Sequence, residues 1–365
     1  MSRFDLTREE LAILLAEEPP YRVAQVWEGL HRRHSEPPEL TELPRRLRAR
    51  LTGDPAFALA WQLVDESVSD SGKTRKWLLE ADDASRVEAV LMKYRARTTV
   101  CVSSQAGCAM GCSFCATGQL GFGRHLTTGE IVEQVVRSAR FVADAGWGRL
   151  GNIVFMGMGE PLANYANVLA AIQRCNGDLG IAARAITVST VGVVPGIRRL
   201  AGEPLQINLA VSLHAANDTL RSELVPLNRR YGLDVLMSAC AEYFEATGRR
   251  ISFEWACIAG VNDRRDDARE LAELARPLHA HVNLIPLNPT PGYLVAGSSA
   301  PAVAGFRERL FDLGVNATIR DTRGREVGGA CGQLAAGLAP GGLGRSGARS
   351  AKVAVLSSPR VASSR

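Results

Sequence analysis

No apolar run of about 18 residues, the length that spans a bilayer, occurs anywhere in this 365-residue sequence. A transmembrane helix is therefore not expected. The first ten residues are charged and mixed, and no apolar signal core follows them, so a secretory leader is not expected either. The expected location is cytoplasmic. Charge of one sign is also scarce: 43 Lys and Arg against 38 Asp and Glu leave a net +5. That is compatible with a nucleic-acid partner but says little for one by itself. A disulfide framework is not expected in a cytosolic chain, so the 8 cysteines argue for metal or redox chemistry. A hydrophobic fraction of 46% excludes wholesale disorder.

Residues 1–90 read as a small accessory part. Helix-period apolar positions run through 6–15 and 21–31, with a short helix at 45–51. Short strands are predicted at 60–69, 73–80 and 86–94, with Ser71-Gly72 and Asp82-Asp83 at the turns. From residue 98 the pattern becomes strand, loop, helix, repeated. Strands are predicted at 98–103, 152–156, 185–189, 207–213, 251–257 and 282–286. Helices are predicted at 128–145, 165–175, 196–201, 233–246, 266–278 and 302–313, with a last short strand at 317–320. Such alternation implies an α/β fold with a parallel sheet, because parallel strands need crossover connections. Curled, it is a partial (β/α)6 barrel over residues 91–336; a doubly wound open sheet is the alternative. Either way the chemistry belongs at the C-terminal ends of the strands. Residues 337–365, rich in Gly, Ala, Ser and Arg, read as a disordered basic tail.

Cys108, Cys112 and Cys115 form a C-x3-C-x2-C motif just after a predicted strand. Four-iron clusters normally take four cysteines, so three leave one iron open to another ligand. A structural zinc site wants four ligands. The obvious fourth, Cys101, lies on the preceding strand, and His125 is ten residues downstream. The next strand ends in Met156-Gly157-Met158-Gly159-Glu160-Pro161. Its glycines allow close approach of a ligand, and Glu160 offers a carboxylate to an ammonium group.

This pattern resembles the radical S-adenosylmethionine (SAM) superfamily. There the open iron chelates the amino and carboxylate groups of SAM, and one electron cleaves SAM to a 5′-deoxyadenosyl radical. Longer motifs sharpen the likeness: TVCVSSQ at 99–105, FMGMGEP at 155–161, VST at 188–190, SLH at 212–214, NLIPLNP at 283–289 and ACGQL at 330–334. Over most of its length the chain is similar to the RlmN family, adenine-C2 methyltransferases of 23S rRNA and tRNA, and to the C8-methylating Cfr enzymes.

The resemblance implies a role for each matching residue. Cys108, Cys112 and Cys115 would hold a [4Fe–4S] cluster. Gly159, Glu160, Ser189, Ser212, Leu213, His214 and Asn288 would contact SAM. Cys331 would carry the methyl group, Cys101 would be its partner thiol in a transient disulfide, and Glu88 would accept the ring proton. Residue types and chemistry agree. Carbon 2 of adenine lacks a nucleophilic lone pair, whereas a thiolate accepts a methyl group readily. Releasing a protein–RNA thioether then needs a base and a second thiolate. Implied partners are 23S rRNA, tRNA and an electron donor such as flavodoxin or ferredoxin, with the protein a monomer.

Each residue also has a plainer reading. A strand cysteine is ordinarily inert core, a strand glutamate ordinarily faces solvent, and a lone histidine is more often structural than catalytic. Cys175, Cys240 and Cys257 fall in apolar contexts and are read as packing. Arg45, Arg46, Arg48, Arg50, Lys93, Arg95 and Arg97 are candidates for phosphate contacts, against the alternative of a solvated charged face. The rival functions are C8 methylation of the same adenine and a non-catalytic metal-containing RNA-binding module. The second leaves Glu160 and Cys331 without a purpose.

Overall fold

The computed structural model describes residues 2–290, 292–321 and 323–335; the tail expected at 337–365 lies outside them. The chain opens with helices α1 (Arg8–Leu14), α2 (Tyr21–His31) and α3 (Arg45–Gly53). Thr7 starts α1 with a capping box, its hydroxyl accepting from the Glu10 N–H. Strands β1 (Gln62–Ser69), β2 (Thr74–Glu80) and β3 (Arg86–Lys93) form an antiparallel meander. The meander joins β4 (Thr98–Cys101) through an antiparallel pairing that sets Val90 opposite Cys101.

A hairpin of β5 (Gln105–Gly107) and β6 (Phe122–His125) encloses the short helix α4 (Ala116–Leu120). Helices then alternate with strands: α5 (Thr128–Asp144), β7 (Asn152–Phe155), α6 (Tyr165–Gly177), β8 (Ile186–Thr190), α7 (Val194–Ala201) and β9 (Asn208–Ser212). After them come α8 (Asp218–Leu224), α9 (Leu233–Thr247), β10 (Ser252–Cys257), α10 (Arg265–Ala275), β11 (His281–Pro286), α11 (Ala300–Asp312) and β12 (Ala317–Ile319).

Strands β4, β7, β8, β9, β10, β11 and β12 are parallel neighbours in chain order. A doubly wound sheet requires a reversal of strand order, and there is none here. A single cavity of about 580 Å³ is lined by Thr99 of β4, Thr187 of β8, Ser252 of β10 and Thr318 of β12. Strands so far apart in the sheet meet one cavity because the sheet is curled. The architecture is the partial barrel that the strand–helix alternation allowed, not the open sheet.

One buried core runs from Val26 and Leu47 through Leu79 and Val90 to Val211 and Leu284. The N-terminal segment is tied to α5 by Glu133, which accepts from the Ser2 hydroxyl at 2.7 Å and from the N–H groups of Ala60 and Trp61 at 2.8 and 3.0 Å. The meander strands, read from sequence as belonging to a separate part, continue the barrel sheet. The sequence pattern missed α4, α8 and the β5–β6 hairpin; α4, at five residues, and the hairpin strands are too short to show a period. Asn217 was an available signal for α8: its side chain accepts from the Leu220 N–H as the N-cap. Among the described residues no helix is long and apolar enough to cross a membrane.

Candidate active site

A cavity of about 150 Å³ opens at the C-terminal ends of the parallel strands. Cys108, Cys112 and Cys115 line it on one side, and Gly159, Glu160, Ser189, Ser212, His214, Asn288 and Cys331 complete it. Cys108 follows β5 directly and anchors its N–H on the Gly121 carbonyl at 2.7 Å. Cys115 is the N-cap residue of α4. Burial pushes the Cys108 thiol up to about 12 and raises Cys112 and Cys115 as well, the neighbouring cysteines adding to the effect.

Among the described residues no three His, Cys, Asp or Glu side chains are grouped to hold one ion. Yet three thiols line one cavity. A zinc site converges its ligands on one atom, whereas cysteines on an iron–sulfur cluster bind different irons. Three thiols lining one cavity are a donor set that fits an iron–sulfur cluster.

Gly159 stands where β7 turns into the cavity. Its φ is +99°, and a Cβ there would lie 2.5 Å from the Cβ of Gln105. Gln105 in turn accepts from the Glu160 N–H at 2.8 Å, fixing that residue over the cavity. The Glu160 carboxylate accepts from the Leu162 and Val191 N–H groups, each at 2.9 Å. Burial outweighs these bonds and raises its pKa to about 7.

Ser189 and Ser212, at the ends of neighbouring strands β8 and β9, bring their hydroxyl oxygens within 3.5 Å. His214 follows in a left-handed conformation, φ +60°. Its Nδ1 accepts from the Ala256 N–H at 3.0 Å, which places the proton of the neutral ring on Nε2. Burial and, next, the Arg221 charge lower its pKa to about 3, so it is a neutral ring rather than an acid. Leu213 is the exception among the expected SAM contacts. It is fully buried and does not line the cavity; its carbonyl accepts from Arg221 Nε at 3.1 Å.

The C-terminal segment crosses the cavity mouth. The Ala116 N–H donates to the Gly332 carbonyl at 2.8 Å, and the Thr117 hydroxyl donates to the Leu334 carbonyl at 2.7 Å. Cys331 thereby lines the main cavity and also a small one, about 20 Å³, shared with Cys101. Both thiols are free. Burial first, and Cys331 next, push Cys101 up to about 12. Glu88 is not solvent-facing: it is 1% exposed. Its carboxylate accepts from Lys76 Nζ and from the Ala335 N–H, both at 2.8 Å.

Cys175, Cys240 and Cys257 are buried in the core, away from this cavity. The basic candidates scatter. Arg45, Arg46, Arg50 and Arg95 are exposed; Arg48 donates to the Pro38 carbonyl at 3.0 Å. Lys93 and Arg97 lie over the rings of Trp147 and Tyr94. None of them lines the main cavity. Sequence reasoning missed Gln105, Arg221 and Arg320. Arg320 had one signal, its place at the end of the last predicted strand.

A curled parallel sheet with three cysteines and a glycine–glutamate strand end at its mouth defines a radical SAM enzyme. The sequence profile of the radical SAM superfamily matches residues 102–275. A radical SAM methyltransferase from Sphaerobacter thermophilus superposes with a TM-score of 0.88 at 48% identity, over 92% of this chain and 99% of that one. The probable dual-specificity RNA methyltransferase RlmN of Frankia casuarinae is 51% identical over 91% of this chain and 82% of its own length. The protein of the same description from Thermobifida fusca is 50% identical over 91% and 94%. The chain belongs to the RlmN family of the radical SAM superfamily. It is a SAM-dependent methyltransferase, and the family implies a [4Fe–4S] cluster.

Proposed function

We propose that this protein methylates carbon 2 of an adenine in 23S rRNA, and an adenine in tRNA, using Cys331 as the methyl carrier. The observation that carries this reading is the position of Cys331, which lines the main cavity with the three clustered cysteines and the small cavity with Cys101. Lining both cavities supports a residue that receives a methyl group on one side and meets a second thiol on the other. The dual-specificity description of the relatives supports both RNA substrates.

In this reading Cys108, Cys112 and Cys115 would hold the cluster, and the chemistry it would supply when bound is one-electron reduction of SAM. Glu160 takes the SAM ammonium group, exchanging part of its backbone hydrogen bonds for a charged donor. Ser189, Ser212, His214 and Asn288 orient the rest of SAM, and Leu213 contributes its backbone alone. Cys331, once methylated, presents its S-methyl group to the cavity. Glu88 takes the ring proton after Ala335 gives up its hydrogen bond. Cys101, as a thiolate, attacks the Cys331 sulfur; the S–S bond forms as the S–CH2 bond breaks, its electron pair stays on the exocyclic carbon of the adenine, and a proton from solvent completes the methyl group. Residues 1–90 contribute RNA contacts as an accessory part, with 91–336 as the catalytic part. The enzyme acts as a cytoplasmic monomer, with flavodoxin or ferredoxin as its reductant.

The test is anaerobic incubation with SAM, a low-potential reductant and 23S rRNA or tRNA, followed by nucleoside analysis. Proton NMR of the product should show the C8 hydrogen retained and the C2 hydrogen gone. A product that retains the C2 hydrogen makes the enzyme a C8 methyltransferase.

A further inference from the structure

We propose that the buried Arg221 guanidinium is a positioning residue whose charge raises the reduction potential of the iron–sulfur cluster. The inference rests on the reading of Cys108, Cys112 and Cys115 as the ligands of that cluster. Arg221 lies on α8, the helix that carries the cysteine loop: the Ser113 N–H donates to the Leu224 carbonyl at 3.2 Å. Cys112 and Phe114 share one apolar cluster with Leu224 and Val225. Arg221 is 1% exposed. Its Nε donates to the Leu213 carbonyl at 3.1 Å, one terminal nitrogen to the Val191 and Ser212 carbonyls at 2.7 and 3.3 Å, and the other to the Asn228 side-chain oxygen at 2.7 Å.

Every one of these acceptors is neutral. Among the described residues no carboxylate is ion-paired with Arg221. Asp218 acts on it only through space; that residue is exposed, and its carboxylate accepts from the Asn228 amide at 2.8 Å and the Leu233 N–H at 2.9 Å. Taking a guanidinium out of water without a counter-charge is costly, and carbonyl oxygens satisfy its donors without neutralising it. Burial lowers its pKa to about 10, which leaves it charged at neutral pH. Arg221 and the Cys112 thiolate favour each other's ionised forms. Glu160 and the neighbouring cysteines act on Cys112 in the opposite sense. His214, on which Arg221 also acts, is already neutral.

Three thiolates put three negative charges on one side of the cavity. One electron passing from the low-potential reductant to the cluster adds another, with no bond made or broken and no proton moved. Net charge is one of the settings of an iron–sulfur potential, and a fixed cation in a site of low dielectric stabilises the more negative state. Arg221 therefore favours reduction.

The experiment is a redox titration of the cluster-loaded full-length protein at pH 7 without SAM, with dithionite as titrant and electron paramagnetic resonance as the readout. Iron content and visible absorbance are measured on every sample. In Arg221→Gln the ratio of reduced to oxidised cluster at a fixed potential should fall about tenfold, equivalent to about 59 mV for one electron. Arg221→Lys keeps the charge but not the fork of carbonyl bonds, so it should restore most of the ratio. A residue that only ties the strand ends together would move both variants alike, because both lose the same bonds.

An Arg221→Gln protein with the wild-type potential overturns the inference, and so do equal shifts in Arg221→Gln and Arg221→Lys. If Arg221→Gln does not take up the cluster, Asp218→Asn combined with Asn228→Asp decides. That pair moves a carboxylate onto the side chain that accepts from Arg221, at unchanged net charge. The ratio should fall, and an unchanged ratio overturns the inference. A wild-type protein without iron–sulfur absorbance overturns the ligand reading and the inference with it. A bound cluster whose potential is indifferent to Arg221 leaves that reading standing and sinks the charge effect alone.

Discussion

The side-chain amide of Asn288 donates to the carbonyl oxygen of Cys331 at 3.2 Å. A residue at the end of β11 thus holds the backbone of the cysteine that faces both cavities. Asn288→Ala removes one hydrogen bond, worth about 1 kcal/mol. We expect SAM to bind about fivefold more weakly and Cys331 to be methylated more slowly. Equilibrium binding and peptide mass spectrometry of Cys331 check the two effects. Unchanged Cys331 methylation would show that the contact is incidental.

Gly159 has no room for a side chain. Gly159→Ala forces a Cβ against Gln105 from a backbone at φ +99°, a strain of about 1–3 kcal/mol. The turn should shift and carry Glu160 with it. Loss of SAM binding with iron content retained is the expected result, measured by calorimetry and iron assay.

Each of Cys108→Ala, Cys112→Ala and Cys115→Ala should lose most bound iron and all SAM cleavage. A variant with full iron and intact cleavage would remove that cysteine from the ligand set. Visible absorbance of the purified proteins gives the first answer.

Cys101→Ala and Cys331→Ala should fail differently. Without Cys331 there is no methyl acceptor, so no protein–RNA link forms. Without Cys101 the link forms and is not released, so covalent RNA–protein should accumulate on a denaturing gel, resistant to reducing agent because a thioether is not cleaved by thiols. Equal, mild defects in both would indicate a structural pair instead.

His31 gives the N-terminal helices an acid sensitivity. It is buried, stacked on Trp27 with ring centroids 4.1 Å apart, and its Nδ1–H donates to the Trp27 carbonyl at 3.0 Å. Burial lowers its pKa from 6.5 to about 4, so the folded state excludes the proton. Its contribution to stability is complete above pH 6.5 and is lost as pH falls toward 4, amounting to about 3 kcal/mol over that interval. Urea unfolding followed by Trp fluorescence should lose stability between pH 7 and pH 5. His31→Phe, which keeps the stacking, should lose less; an unchanged slope would exclude His31 as the source.

Local pattern alone determined much of this protein. The alternation of strand and helix from residue 98 gave the parallel sheet, since parallel strands demand crossovers. The spacing of Cys108, Cys112 and Cys115 and the glycine–glutamate strand end were legible because each motif lies within a few residues of chain. The five-residue helix α4 and the β5–β6 hairpin were not, because so few residues carry no period.

Tertiary structure decided the rest. The curl of the sheet chose a barrel over an open sheet, a property no single strand encodes. Docking of the C-terminal segment on α4 and Asn288 put Cys331 on the same small cavity as Cys101, across 230 residues of sequence. The same docking gave the buried Glu88 a backbone partner in Ala335, where strand position by itself suggested solvent. Such contacts depend on how distant elements pack, and packing is set by the whole core rather than by the period or spacing of any segment.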